Sequence, residues 1–303
     1  MEPLLRQSRY VDPMIDVAFK QLLGQEKNKH LTKGLLEHVF NLEIEELTFV
    51  NVEHPGQTLE DRNAIFDIQC RSKQIGDFIV EMQVREQKHF SKRALFYSTF
   101  PITAQAPKGS WNYDFKPVFF LGMLNFKMQE TDGYIHRYSI REDNTGALLT
   151  NALQFVFMEV GPFNKSWNEC KSFEDRFLYY FKNLPNFAEK PDTGSDSYFE
   201  ELVAAAELNN MTKAEREAYN RRLKIQRDNY AADEFAREKA QEELAKKLAE
   251  GLEKGLAEGR AEGRAEGRAE ANKEVAAKLL AKGLNISEIA EITGLSEDEI
   301  SAL

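Results

Sequence analysis

The chain has 303 residues, 40 Lys and Arg against 50 Asp and Glu, a net charge of −10 and 42% apolar residues. This apolar fraction excludes a wholly disordered protein. The most apolar window, 117–126, is far shorter than the roughly 20 residues of a membrane span, so no membrane partner is expected. The acidic balance argues against charge-driven coating of nucleic acid but is compatible with a local basic cleft.

The start of the chain and its cysteines predict a cytoplasmic protein. Residues 1–19 lack the basic region followed by an apolar core that marks a signal peptide. The two cysteines, Cys70 and Cys170, favour reduced thiols over a disulfide scaffold. The five His residues show no ligand spacing and no CxxC motif occurs, which argues against a zinc site. No nucleotide cofactor is expected either.

The first 206 residues alternate between helical and strand periods. Apolar residues at helical spacing from Val17 to Phe40 predict two helices with a break around 24–28. The next segments predict a strand within 43–52, a hairpin of 64–70 and 77–84, a helix over 89–104 and a buried strand over 118–126. Further strands are predicted at 136–140 and 153–160, and further helices at 173–182 and 198–208.

Composition changes sharply near residue 207. All nine Pro and both Trp precede it, whereas 207–282 is rich in Ala, Glu, Lys and Gly and carries 17 basic and 16 acidic residues. This composition predicts helix. We therefore expect a domain at 1–206, a charged helical segment at 207–282 and a small acidic tail at 283–303.

Two acidic residues face each other on the predicted hairpin. Strand alternation puts Asp67 on one face of the first strand and Phe66 and Ile68 on the other. If the turn is centred on Gln74, Asp67 lies opposite Glu81, with Cβ atoms about 4.5–5.5 Å apart. Two facing carboxylates repel each other, and a divalent cation such as Mg²⁺ neutralises them.

The same pattern fits the polar outer face of a half-exposed hairpin, where Asp67 pairs with Arg71 or Lys73. A slip of one residue in register would also separate the two acids. Spacing alone leaves both interpretations open.

Several motifs follow one another in a recognisable order. They are Asp16-Val17-Ala18-Phe19-Lys20, Phe66-Asp67-Ile68 and Ile79-Val80-Glu81-Met82-Gln83, followed by Arg93 and Tyr97. In this order they resemble the PD-(D/E)XK nuclease family transposases, also called recombination-promoting nucleases. The resemblance is close over 12–126 and looser beyond. It implies an α/β fold with a restriction-endonuclease-like mixed sheet flanked by helices, followed by a long helical C-terminal extension.

The resemblance also implies a metal site. Its ligands would be Asp67, Glu81 and the backbone carbonyl of Met82, and its metal Mg²⁺, with Mn²⁺ or Ca²⁺ as alternatives. The third motif position, usually Lys in the wider superfamily, is Gln83 here, and an amide hydrogen-bonds without supplying charge. Two further catalytic candidates accompany Asp67, Glu81 and Gln83 on the first motif: Lys20, as a source of positive charge, and Asp16, as a supplementary acid.

The implied reaction is hydrolysis of a phosphodiester in double-stranded DNA. Four basic residues follow the second hairpin strand and are candidates for phosphate contacts: Arg85, Lys88, Lys92 and Arg93. A solvated helix face explains the first three equally well. Arg93, together with Tyr97, could instead hold the helix on the sheet.

Glycine recurs every four residues between Gly251 and Gly267. Each Gly costs about 1 kcal/mol relative to Ala in a helix, and the repeated Arg and Glu residues repel their like neighbours at i,i+4. The segment should be a poor helix alone, so we expect a partner helix from a second copy of the chain to order it. A hydrophilic spacer is the alternative.

The last residues predict short helices. Gly283 is a helix stop, and Ser287 and Ser296 are expected N-caps. The phrase Ile-Ala-Glu-Ile-Thr-Gly-Leu-Ser-Glu resembles a helix-turn-helix unit, but the expected recognition helix begins with three acidic residues, Glu297 to Glu299. DNA-reading helices usually present Lys, Arg, Asn or Gln. The tail is therefore interpreted as a docking module rather than a DNA reader.

These observations give a leading function and two alternatives. The leading interpretation is a metal-dependent DNA endonuclease of a transposase-related family, oligomeric through its C-terminal helices. The first alternative is a DNA- or protein-interaction module that retains the nuclease fold without turnover, and the role of Gln83 distinguishes it from an active nuclease. The second alternative is a scaffold protein assembled through its helical tail.

Overall fold

The chain folds into a mixed sheet with helices on both faces and continues into a long C-terminal helix, as the sequence predicted. The computed structural model describes residues 8–50, 53–54, 64–107, 109–128 and 132–303, with the backbone alone at 53–54 and 64–65. The helices are α1 (Asp16–Leu23), α2 (Lys29–Phe40), α3 (Phe90–Ala104), α4 (Phe173–Asn183), α5 (Ser197–Ala205), α6 (Lys213–Ala281), α7 (Ile286–Thr293) and α8 (Glu297–Ser301). The strands are β1 (Thr48–Phe49), β2 (Glu53–His54), β3 (Ala64–Ile65), β4 (Ile68–Ser72), β5 (Gly76–Gln83), β6 (Val118–Leu124), β7 (Ile135–Arg141) and β8 (Leu148–Glu159).

Six strands form the main sheet in the order β1-β4-β5-β6-β8-β7. The β4–β5 pair is antiparallel, β5–β6 and β6–β8 are parallel, and β7–β8 is antiparallel. Strands β2 and β3 form a separate two-stranded pair. The central strand β6 is buried along its whole length, which is why its sequence is almost entirely apolar.

Each face of the sheet carries its own apolar core. On one face, side chains of β4 and β5 such as Ile68 and Val80 pack with α1, α2, α4 and α5. On the other face, Phe66, Ile79 and Phe120 pack with α3 through Phe90 and Ala94. The alternation of these positions along β5 explains why both of its faces are buried.

Two expectations for the first strands of the sheet require correction. Within the described part of 43–52, only Thr48 and Phe49 pair as a strand; Ile44 and Leu47 are buried in the core without ladder pairing. Phe66 was expected on the same face as Ile68, but it lies in the core under α3. The chain bends at Asp67 before β4 begins, and the bend breaks the alternation.

The core of the sheet region includes the first turns of α6. Tyr219 is buried there, and its hydroxyl oxygen accepts a hydrogen bond from the Asp12 N–H at 2.9 Å. Leu223 also packs against this core. Two compact units result, Met1–Arg227 and Asp228–Leu303, whereas the division at 206 and 282 remains a prediction.

The second unit contains most of α6 together with α7 and α8. Ala276, Ile289 and Ile300 form its small apolar core. Gly283 adopts φ +85°, as expected of a helix stop, and Ser296 caps α8. The prediction for Ser287 was wrong: Asn285 caps α7, because its side chain accepts from the Glu288 N–H at 2.8 Å in a reciprocal capping box.

The α6 helix runs without interruption through the glycine repeat. An added Cβ at any repeat glycine from Gly251 to Gly267 would meet nothing within 4 Å in the described chain. Four leucines, Leu244, Leu248, Leu252 and Leu256, are more than half exposed along the same helix. Among the described helices, none combines the length and apolar character needed to cross a membrane.

Candidate active site

The β4–β5 hairpin has the predicted register. Ser72 pairs with Gly76 and Ile68 with Val80, so that continuing the ladder by one residue brings Asp67 opposite Glu81. Asp67 itself lies in the bend one residue before β4. The two acids therefore meet at the end of the ladder rather than inside it.

Hydrogen bonds tie Asp67 to β5 from both directions. The Asp67 N–H donates to Glu81 Oε1 at 3.3 Å, and the Met82 N–H donates to Asp67 Oδ2 at 2.9 Å. The bend frees the Asp67 side chain from the pleat and lets it reach the neighbouring strand. The two carboxylates are consequently fixed against each other by the backbone.

Burial dominates the electrostatics of Glu81. It is 5% exposed on a strand with neighbours on both sides, and Gly122 is its partner on β6. Burial and the charge of Asp67 raise the pKa of Glu81 to about 8, against the opposing influence of Arg93 and the Gln83 amide. Burial also raises the pKa of Asp67, although the Met82 N–H and the Lys20 charge oppose it. Burial therefore favours the protonated form of each carboxyl when no metal is bound.

The α1 helix brings one cation to this pair. Lys20 Nζ lies 2.8 Å from Asp16 Oδ1 and 3.5 Å from Asp67 Oδ1. Burial lowers the pKa of Lys20, but the hydrogen bond to Asp16 and the charge of Asp67 outweigh it, so this pKa lies above its ordinary value. Lys20 thus stays charged and links the two acids.

Gln83 projects from the same strand two residues after Glu81. Its Nε2 donates to Glu81 Oε2 at 3.3 Å. The amide therefore contacts the buried acid directly.

A divalent cation fits the chemistry of this donor set. Two adjacent carboxylates with raised pKa values lack enough positive charge nearby, and hard oxygen donors suit Mg²⁺, which usually keeps several waters. In the described ranges, no three His, Cys, Asp or Glu side chains cluster as a metal site. Protein side chains would accordingly supply two ligands, and Asp16 pairs with Lys20.

The predicted phosphate contacts divide into two groups. Arg85, Lys88 and Lys92 are exposed at the end of β5 and the start of α3. Arg93 is half-buried, donates to Gln87 Oε1, and lies over the rings of Phe90 at 5.3 Å and Tyr97 at 5.8 Å. Arg93 therefore anchors α3 while its charge acts on Glu81.

Two features of the fold were not anticipated from the sequence. Leu95 and Phe96 on α3 are 50% and 48% exposed. A helical projection could have shown them, because Ala94 and Ser98 occupy the inward face. The second feature is a buried acid, Glu159, at the end of β8, whose Oε1 lies 3.2 Å from His136 Nε2. Strand periodicity gave no signal for it.

A cavity of about 590 Å³ lies beside Glu159, apart from the carboxylate pair. Its lining includes Lys165, whose Nζ contacts both oxygens of Asp175 at 2.7 and 2.9 Å. These charges already pair within the protein.

Two protein-family models match this chain. Residues 13–236 match the sequence model of the PD-(D/E)XK nuclease family transposase, and residues 269–303 match the Rpn/YhgA-like nuclease family, C-terminal HTH domain. The resemblance of the tail to a helix-turn-helix unit agrees with the second match, while its role as a docking module stays a prediction. Searches of curated proteins and of solved structures found no match. Since the first match covers most of the chain, the protein belongs to the PD-(D/E)XK nuclease family transposases.

Proposed function

We propose that this protein is a metal-dependent endonuclease that hydrolyses phosphodiester bonds of double-stranded DNA. The supporting observation is the buried pair of Asp67 and Glu81, held together by the Asp67 N–H and the Met82 N–H. The family is one of nucleases. Mg²⁺, or alternatively Mn²⁺ or Ca²⁺, would be bound by Asp67, Glu81 and the Met82 carbonyl. It would lower the pKa of a water molecule and stabilise charge on the phosphoryl oxygens.

The neighbouring side chains have separate roles in this proposal. Lys20 keeps its charge beside Asp67 and stabilises negative charge that develops on the phosphate. Asp16 orients Lys20 through the 2.8 Å contact. Gln83 holds Glu81 Oε2 and can orient water by hydrogen bonding without contributing charge.

DNA approaches along the start of α3 in this proposal. Arg85, Lys88 and Lys92 are exposed and would contact phosphates, while half-buried Arg93 fixes the helix. The C-terminal helices would join copies of the chain, and the acidic tail would dock a partner. We expect a cytoplasmic protein without a nucleotide cofactor, and we retain 1–206, 207–282 and 283–303 as the proposed functional divisions.

One observation favours a second candidate function. Gln83 stands where the superfamily usually has Lys, and its amide is engaged with Glu81. If Lys20 does not replace the missing charge, the fold would bind DNA or protein without turnover. Cleavage assays separate the two candidates directly.

The test is nicking of supercoiled plasmid by the full chain, with Mg²⁺ or with EDTA. We expect Mg²⁺-dependent nicking that Asp67→Asn and Glu81→Gln each reduce by at least about a hundredfold, because each removes a charged ligand. Lys20→Gln should lower the rate while leaving metal binding, measured by calorimetry, within a few-fold.

Asp77→Asn is the matched control, since Asp77 is a buried acid on the same strand and pairs with Arg71 at 2.7 Å. It should keep nicking activity if circular dichroism shows it folded. Equal nicking rates in wild type, Asp67→Asn and Glu81→Gln would reject this site. Metal binding without any nicking would favour the interaction module.

A further inference from the structure

The outward face of α3 carries two large apolar side chains. Leu95 is 50% exposed and Phe96 is 48% exposed, while Phe90, Ala94 and Ser98 face the sheet. We refer to Leu95 and Phe96 as the α3 apolar pair. Since the other face of α3 already packs in the core, folding does not require this pair to be apolar.

Ring contacts connect Phe96 of the α3 apolar pair to the segment that carries Asp67. Tyr97 follows Phe96 and packs edge-on against Phe66, with ring centroids 5.4 Å apart. Phe66 directly precedes Asp67. The ring centroids of Phe96 and Tyr97 are 6.4 Å apart, so two successive ring contacts connect Phe96 to the residue before the proposed metal ligand.

The charge around the pair favours an anionic partner. From Gln87 to Tyr113 the sequence contains no Asp or Glu, although the whole chain has a net charge of −10. Lys92 is exposed one helical turn before Phe96, and residues at i and i+4 share a helix face. An apolar pair flanked by cations, with no carboxylate on the helix, matches the surface of a nucleic acid.

We propose that Leu95 and Phe96 insert between or stack on bases beside the scissile phosphate, so that the preferred substrate is DNA whose duplex opens easily. Apolar wedges of this kind unstack a base step and kink the duplex, at a cost that is lowest at mismatched or flexible steps. Lys92 holds the adjacent phosphate while the pair contacts the bases. This inference rests on the proposed nuclease function and names the class of DNA that the same site accepts.

Binding of labelled oligonucleotides to the full chain in EDTA tests the inference without cleavage. Three probes share one sequence: a matched duplex, the same duplex with a central two-base mismatch, and a single strand, each with 2-aminopurine beside the centre. Wild type should bind the mismatched duplex about tenfold more tightly than the matched one, with increased 2-aminopurine fluorescence from unstacking. Phe96→Ala should abolish most of that preference and the fluorescence change, and Leu95→Ala should reduce both.

Two control variants distinguish base contacts by the α3 apolar pair from the loss of any exposed apolar or charged side chain. Leu149 on β8 is 76% exposed, and Leu149→Ala should leave every affinity unchanged. Lys92→Ala should weaken the binding of all three probes by the same factor. It should also reduce the slope of log affinity against log salt concentration by about one. Equal loss of affinity for matched and mismatched DNA in Phe96→Ala, or no DNA binding by wild type, overturns the inference. Phe96-dependent binding to phosphatidylserine vesicles in place of DNA overturns it as well.

The two proposals fail in distinguishable ways. A mismatch preference that Phe96→Ala removes, in a protein that nicks no plasmid, supports the wedge and rejects the nuclease. Mg²⁺-dependent nicking with no effect of Phe96→Ala on mismatch preference supports the nuclease and rejects the wedge.

Discussion

At the scale of single residues, the unusual group is a glutamate kept away from water. Glu81 accepts hydrogen bonds from the Gln83 side chain and from the Asp67 N–H, on a strand that is buried as far as Met82. Its pKa of about 8 means that the folded chain keeps a proton which the unfolded chain loses near pH 4.5. At neutral pH and without metal, this raised pKa lowers the free energy of unfolding.

This residue predicts an inverse pH dependence of stability. Between pH 4.5 and about 8 the folded state binds more protons than the unfolded state. The free energy of unfolding should therefore fall as pH rises, by up to about 1.4 kcal/mol per pH unit. Urea unfolding in EDTA at pH 5, 6, 7 and 8 measures the slope, and Glu81→Gln should flatten it. An unchanged slope in Glu81→Gln, with Asp77→Asn as reference, would contradict this account.

Sequence reasoning reached the facing acids because the turn and the strand period fix the register. It did not place Phe66, since the bend at Asp67 depends on hydrogen bonds between strands that no local pattern encodes. The contact between Lys20 and Asp67 likewise joins residues far apart in sequence. The resemblance, rather than periodicity, identified that candidate.

At the scale of elements, the carboxyl ends of β6 and β8 approach so closely that one position requires glycine. The N–H groups of Val160 and Gly161 both donate to Leu124 O, at 2.7 and 3.2 Å. A Cβ added at Gly161 would lie 2.2 Å from the backbone oxygen of Asn125. Lys182 Nζ further clamps the loop by donating to Gly161 O at 2.6 Å.

Gly161→Ala should therefore destabilise the protein by about 1–3 kcal/mol, because backbone atoms must move to admit the methyl group. Gly259→Ala is the matched control: it lies in α6, where an added Cβ meets nothing within 4 Å. That substitution should be neutral or stabilising, since Ala favours helix. Chemical denaturation of both variants checks the difference, and equal stability would show that the two loops can separate without cost.

The elements themselves were largely predictable, and their misplaced ends have physical causes. Sequence patterns located α3, β6 and α4 to within one or two residues, with β6 recognised as a continuous apolar run. The cap of α7 was misassigned to Ser287, because Asn285 followed by Glu288 offers the better reciprocal pair. The sequence did not show that the core of the sheet region extends to α6, because the buried Tyr219 lies in a segment rich in charged residues.

At the scale of the whole molecule, α6 leaves apolar side chains without cover in a single chain. Leu244, Leu248, Leu252 and Leu256 recur every four residues and are all more than half exposed. The neighbouring repeat glycines present a narrow surface that a second helix can approach closely. Association of α6 helices from two copies of the chain would bury the leucines. That burial would stabilise a helix whose sequence alone favours helix only weakly.

We therefore expect the full chain to be oligomeric and a chain ending at Arg227 to be monomeric. This end point retains Tyr219 and Leu223, which pack in the first core. Light scattering at micromolar concentration compares the two proteins. A monomeric full-length chain would show that α6 acts as a spacer, and a truncated chain that still associates would move the contact to the sheet unit.

Alkylation of the two buried thiols reports local unfolding of the protein. Cys70 lies on β4 opposite Phe78, and Cys170 precedes α4; both are buried, and burial raises the pKa of each thiol. An alkylating reagent reacts with thiolate, so at neutral pH modification must wait for a local excursion that hydrates the sulfur. The labelling rate of Cys70 then reports the release of β4, the first strand of the β4–β5 hairpin, and the labelling rate of Cys170 reports the release of the helical layer. Their relative labelling rates distinguish an opening confined to one layer from collapse of the entire sheet.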